Sequence, residues 1–368
     1  MSIQMVDLKG QYLKISNEIN DSIQEVIDST AFINGPKVKE FAQNLEAYVG
    51  VKHVIPCANG TDALQVAFMA LDLNPGDEVI VPCFTYVATA EVIALLGLVP
   101  ILVDVDPKTF QIDTRAFESA ITDKTKAVVP VHLFGQCADM ETILSISNQH
   151  NIYVVEDTAQ AIGAHYTLGS ETRGAGTMGH FGTTSFFPSK NLGCYGDGGA
   201  IFTNDDALAE KARMICNHGQ KKKYHHSVVG VNSRLDTIQA AVLDVKLKYL
   251  DEYNAARQKV AEVYDAAFAN HPALEIPFRD IKSTHVFHQY TLKINGLDRD
   301  HLKQHLADNG IPSMVYYPVP LNRQEAYKRV GNFPITDDLC TRVLSLPMST
   351  ELTINQQQKV IETLLNFA

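Results

Sequence analysis

Along the first half of the chain, short apolar runs alternate with apolar positions at helical spacing. That alternation predicts βαβ units around a largely parallel sheet. His53 to Cys57 reads as a strand, followed by Asn59-Gly60-Thr61 and an amphipathic helix over Asp62 to Leu71. Glu78 to Val81, Val99 to Val103, Ala127 to Val131 and Ile152 to Val155 are further strand-like runs. Helices are predicted between them over Thr85 to Leu96 and Met140 to Gln149. Thr183 to Phe187 and Gly199 to Thr203 read as a strand pair joined through Gly196-Asp197-Gly198-Gly199. From Ser233 to Ala269 there is neither glycine nor proline, and Leu235, Ile238, Val242, Val245 and Tyr249 recur at helical spacing, which predicts one or two helices between lobes. The remainder (strand Gln289 to Ile294, helix Arg299 to Asn309, strand Ser313 to Tyr317, two terminal helices) suits a smaller α+β lobe.

A length of 368 residues exceeds one ordinary core and predicts two lobes, 1–245 and 246–368, with the N-terminal segment free to pack on the smaller one. The net charge of −11 argues against a nucleic-acid partner, because no basic stripe is available to displace counterions. Lys221-Lys222-Lys223 reads as a solvated loop. Six cysteines without a C-x-x-C pair read as reduced, buried thiols of a cytoplasmic protein. No secretory leader is expected at the N-terminus, and no apolar run approaches the roughly 18 residues of a membrane span.

Three segments carry candidate chemistry. Lys190 ends Thr183-Thr184-Ser185-Phe186-Phe187-Pro188-Ser189-Lys190, a β-rich run opening into a loop. A desolvated lysine offers the neutral amine that condenses with an aldehyde, whereas most lysines after strands are solvated surface residues. Asn59-Gly60-Thr61-Asp62 places backbone N–H groups at a helix start, which suits a phosphate; a plain N-cap by Thr61 is the commoner use of such a turn. Asp157 closes an apolar strand at its carboxyl end, where it can hold a proton on a ring nitrogen or simply cap a turn. Together a phosphate cradle, an acid for a ring nitrogen and a Schiff-base lysine meet the needs of pyridoxal 5'-phosphate. His225-His226 and His285-x-x-His288 lack supporting acids or thiols, so no metal is assigned.

The order Asn59-Gly60-Thr61, Asp157-x-x-Gln160, Ser185-Phe186-Phe187-Pro188-Ser189-Lys190-Asn191 and Gly230-x-Asn232-x-Arg234-Leu235-Asp236 closely resembles the DegT/StrS family. These are pyridoxal-phosphate-dependent nucleotide-sugar aminotransferases of the aspartate-aminotransferase type of fold. The likeness covers nearly the whole chain and thins between Asn270 and Asn295. It implies an α/β fold: a large, cofactor-binding domain with a mostly parallel, mixed seven-stranded sheet between helices, and a smaller C-terminal α+β domain. It implies Lys190 as the covalent and proton-moving residue, Asp157 on the pyridine nitrogen, and Gln160 on the phenolic oxygen. Gly60, Thr61 and Ser185 would hold the phosphate, Tyr86 would stack on the ring, and Asn232 would reach the phosphate of the partner subunit. The active unit would then be a homodimer with shared sites. Relatives that are sugar dehydratases carry histidine where this chain has Lys190, so the lysine favours amino transfer.

Arg234 suits a carboxylate, since a guanidinium forks two hydrogen bonds, though pairing with Asp236 is as ordinary a use. Tyr316 and Tyr317 lie where relatives contact the sugar nucleotide, and a buried tyrosine pair beside proline is also common core. Asn322 stands where many relatives carry histidine, a departure at the sugar end. The resulting expectation is transfer of an amino group, from L-glutamate by family analogy, to UDP-2-acetamido-2-deoxy-3-oxo-glucuronate for surface polysaccharide (O-antigen type) synthesis. Amination at C-4 of a deoxysugar is the nearest alternative, followed by a dehydratase and by a non-catalytic pyridoxal-phosphate-binding regulator.

Overall fold

The computed structural model describes residues 2–327 and 331–367. Seven strands form the main sheet: β1 (His53–Cys57), β2 (Glu78–Pro82), β3 (Val99–Val103), β4 (Thr125–Val128), β5 (Tyr153–Asp157), β6 (Phe181–Ser185) and β7 (Gly199–Thr203). Their spatial order is β1-β7-β6-β5-β4-β2-β3. All pair in parallel except β7, which runs against both β1 and β6. Val79-Ile80-Val81, Ala127-Val128 and Val154-Val155 are unbroken apolar runs in the central strands because each face of the sheet is covered. Val79, Val81, Ala127 and Val155 pack with Phe68 and Val92 on one side. Ile80, Val128 and Val154 pack with Phe117, Ile143 and Ile146 on the other. Each such valine, isoleucine or phenylalanine contributes roughly 1.5–3 kcal/mol of burial, enough to fix which residue faces which layer.

Four helices matter for the site: α1 (Gly60–Ala70), α2 (Ala88–Leu95), α3 (Thr237–Leu247) and α4 (Leu250–Phe268). The glycine- and proline-free stretch is thus two helices, broken at Lys248-Tyr249. The expected boundary at 245/246 falls inside α3. A second, antiparallel sheet joins β8 (Leu274–Glu275), β9 (Tyr290–Ile294) and β10 (Val343–Leu346). Tyr264 and Phe268 of α4, Leu302, Leu306, Val360 and Leu364 pack on it, and Ile3 from the N-terminal segment joins them.

Polar side chains of α3 and α4 tie the loop after β6 to the chain beside the second sheet. Lys246 Nζ donates to the Gly193 carbonyl at 2.5 Å, in the loop after Lys190. Asn254 accepts from Asn191 Nδ2 at 2.7 Å. One turn on, buried Arg257 donates to the carbonyls of Phe287, His288 and Met348 at 3.2, 3.3 and 3.2 Å.

Two sequence expectations need correcting. Ser313 to Tyr317 is not a strand: Met314 makes one isolated bridge to Ser345, and the backbone then leaves the sheet between Pro312 and Pro318. Proline has no N–H for a ladder, and the departure carries Tyr316 and Tyr317 into the cavity described below. The strand expected over Ala127 to Val131 is Thr125–Val128, ending ahead of Pro130, with Val131 retaining only a bridge to Asp157.

Candidate active site

Parallel neighbours β5 and β6 end side by side, so Asp157 and Ser185 emerge at the same edge of the sheet, which is where open α/β sheets receive ligands. The N-terminus of α1 and the loop after β6 close around them. The result is a cavity of about 780 Å³ lined by Gly60, Thr61, Tyr86, Asp157, Gln160, Ser185, Lys190, Tyr316 and Tyr317. Nine sequence-predicted residues thereby share one space. Asn232 is exposed and is not among its lining residues. Arg234 lines a separate groove, where its Nη1 donates to Asn217 Oδ1 at 3.2 Å.

The phosphate cradle is built by a cap and a close approach. Asn59, rather than Thr61, is the N-cap: its Oδ1 accepts from Asp62 N at 2.8 Å. Helix geometry leaves the N–H groups of Gly60 and Thr61 without an intrahelical acceptor, at the positive end of the dipole. A Cβ on Gly60 would stand 2.7 Å from the Ser185 Cβ, so only glycine lets the helix start and the serine meet. Tyr86 is 59% exposed and its ring lies 6.3 Å from that of Tyr317. Gln160 is already engaged, accepting from Phe134 N at 2.7 Å and donating to Tyr317 Oη at 3.1 Å.

Asp157 is buried, with Oδ1 accepting from Ala159 N and Oδ2 from Thr89 Oγ1, both at 3.1 Å. Burial raises its pKa, against the Ala159 N–H, the Lys190 charge and the Thr89 hydroxyl. Burial pushes the Lys190 amine down to about 8, and Asp157 opposes that shift. At such a value about a tenth of the amine is uncharged at pH 7, against well under a thousandth at the ordinary lysine value, and it is the uncharged amine that acts as nucleophile. The adjacent carboxylate of Glu156 points away, accepting from His132 Nε2 and the N–H groups of Gly176, Met178 and Gly179. Successive residues of a strand face opposite sides, so one acid serves the core and the next the cavity.

Sequence reasoning missed several lining or supporting groups. His288 lines the cavity with its Nδ1 buried and unpartnered, and desolvation, Lys190 and Arg257 hold it well below the usual imidazole range. Thr85 Oγ1, also at the cavity, is likewise buried without a partner. Neither position carries a local signal, because each is brought in by long-range packing. His285 stacks on Phe287, with ring centroids 3.8 Å apart. Among the described residues no three His, Cys, Asp or Glu side chains gather as metal ligands. No described helix is long and apolar enough to cross a membrane. The six cysteines are free and buried.

These donors fit pyridoxal 5'-phosphate: N–H groups and a hydroxyl for the phosphate, a buried acid for the ring nitrogen, and a low-pKa amine between them. Comparison with known proteins agrees. A "UDP-2-acetamido-2-deoxy-3-oxo-D-glucuronate aminotransferase" of Pseudomonas aeruginosa is 48% identical over 347 residues, 94% of this chain and 95% of that protein. A "pleiotropic regulatory protein" of Geobacillus stearothermophilus is 46% identical over 373 residues, covering 100% of this chain and 99% of its own. A DegT DnrJ EryC1 StrS aminotransferase from Brucella abortus superposes with a TM-score of 0.95 at 41% identity, over 99% of each chain. NtdA from Bacillus subtilis, solved with bound cofactor PMP, gives a TM-score of 0.88 at 34% identity, over 95% of this chain and 81% of its own. Since the family's sequence pattern matches from residue 13 to residue 365 and the fold and cavity agree with it, the chain belongs to the DegT/DnrJ/EryC1/StrS aminotransferase family.

Proposed function

We propose that this aminotransferase moves an amino group from L-glutamate to the C-3 keto carbon of UDP-2-acetamido-2-deoxy-3-oxo-glucuronate, in the cytoplasm, for surface polysaccharide. The observation carrying the reading is the shared cavity of Lys190 and Asp157, with the amine brought to about 8. The sugar follows the Pseudomonas aeruginosa relative, whose likeness spans almost the full length of both chains.

Pyridoxal 5'-phosphate supplies an aldehyde that accepts an amine nitrogen and a ring that draws electrons from the carbon beside it. Gly60 N, Thr61 N and Ser185 Oγ would hold its phosphate, and Tyr86 would cover the ring face. An Asp157 oxygen would accept the pyridine N–H and hold that proton in place. Lys190 Nζ would take the proton from the donor's α-carbon and later deliver one to the sugar's keto carbon, a role that only an unprotonated amine can begin. Tyr316 and Tyr317 border the sugar end.

A uronate or glutamate carboxylate also needs a cation. Among the described lining residues Lys190 is the sole lysine or arginine, beside Asp62, Asp157 and Asp197. Arg234 on a second copy answers that need. Its segment lies against exposed apolar residues: Ile33 bridges to Asp236, and Thr237 N donates to the Phe32 carbonyl at 3.0 Å. A homodimer would cover that face and bring Asn232 and Arg234 to the neighbouring cavity.

Two measurements test this. Incubation with glutamate and the UDP-linked 3-keto uronate should yield a 3-amino product identified by mass and fragmentation; amination only of 4-keto deoxysugars would reassign the substrate. Mixing inactive Lys190→Ala with Asn232→Asp, which sets a carboxylate against the phosphate, should restore about a quarter of native activity, because half the dimers then hold one intact site. Activity no higher than the average of the two parents would exclude shared sites.

A further inference from the structure

Both oxygens of Asp157 are engaged by the protein itself, one by the backbone of its own turn and one by a side chain from another element. That side chain is Thr89, wholly buried on the first turn of α2, three residues beyond Tyr86. Threonine in a helix commonly returns its hydroxyl to a carbonyl one turn back. Here the hydroxyl goes to Asp157 Oδ2 at 3.1 Å instead. Among the described residues it is the only side chain hydrogen-bonded to this carboxylate.

We propose that Thr89 is a positioning residue of the active site, which keeps Asp157 ionised and turned toward the pyridine nitrogen of the cofactor. The inference rests on the pyridoxal-phosphate reading above. Burial works against the ionised carboxylate, and a donor on each oxygen counters it. The terminal torsion of an aspartate is soft, so donors from two separate elements are needed to fix the carboxylate plane. An ionised carboxylate has about four acceptor sites, so two bonds to the protein leave room for a ring N–H. Glu156 cannot substitute, since its oxygens are taken by His132 and three backbone N–H groups. Tyr86 stands just ahead of the N-cap Val87 and Thr89 on the first turn, so one helix start carries both the ring cover and the support for the acid.

The test uses the apoprotein and 4'-deoxypyridoxine 5'-phosphate, which keeps the ring nitrogen and phosphate but lacks the aldehyde, so Lys190 plays no part. By calorimetric titration Thr89→Val should bind this probe about tenfold more weakly than the native chain, and Thr89→Ser within about twofold of it, because a hydrogen bond to a charged acceptor is lost in the first and kept in the second. Thr89→Ala should behave as Thr89→Val and replaces it if valine prevents folding. With Asp157→Asn already present, Thr89→Val should cost nothing further. Native-like binding by Thr89→Val and Thr89→Ala, or a loss that persists in full alongside Asp157→Asn, overturns the proposal. Failure of the native apoprotein to bind the probe would instead overturn the cofactor site itself.

Discussion

Lys190→Ala is expected to abolish both colour and turnover, lowering the rate by about a thousandfold or more, since covalent capture and proton transfer are lost together. The absorbance of the reconstituted protein and product formation from glutamate and sugar check it; a variant retaining both would contradict the assignment. The native residue adds a pH signature. Burial disfavours the charged amine, so its deprotonated fraction grows with pH and saturates above a pKa of about 8, rather than near the ordinary lysine value of 10.5. Uptake of the aldehyde by apoprotein should therefore rise roughly tenfold per pH unit below that point and level off above it. A rate still climbing steeply far above it would mean that the amine is not desolvated.

Asp157→Asn should reduce kcat by about two to three orders of magnitude while the chain still binds the cofactor through its phosphate. The amide is isosteric but carries no charge, so it cannot stabilise a protonated ring nitrogen, and the ring withdraws electrons less strongly. Single-turnover reaction with glutamate, followed by absorbance, separates this from a binding defect. A rate within about tenfold of native would place the ring nitrogen elsewhere.

The legible parts of this protein were those encoded over short stretches. Val79-Ile80-Val81 and Val154-Val155 read as strands because apolar residues face helices on both sides. Lys190 and Asp157 were legible because each sits where a strand gives way to a loop, and their order along the chain is restrictive. Ser313 to Tyr317 misled, as its β-prone residues serve a cavity wall rather than a ladder. Thr89, Thr85 and His288 were illegible for a different reason. Thr89 lies 68 positions from Asp157, and nothing near it in sequence announces the pairing. The helix Leu8–Ser29 also went unread, although Gln11, Ile15, Ile19, Ser22 and Val26 bury one face, because two of those five positions are polar.

The grip of α4 on both halves of the molecule limits how this scaffold can be recombined. A chimera that takes its C-terminal portion from a relative but cuts after Asn254 would separate the side chain anchoring Asn191 from the guanidinium that holds Phe287, His288 and Met348. Exchange of sugar preference between homologues therefore calls for transplanting that whole helix as one piece, with its two clasps and the wall they hold.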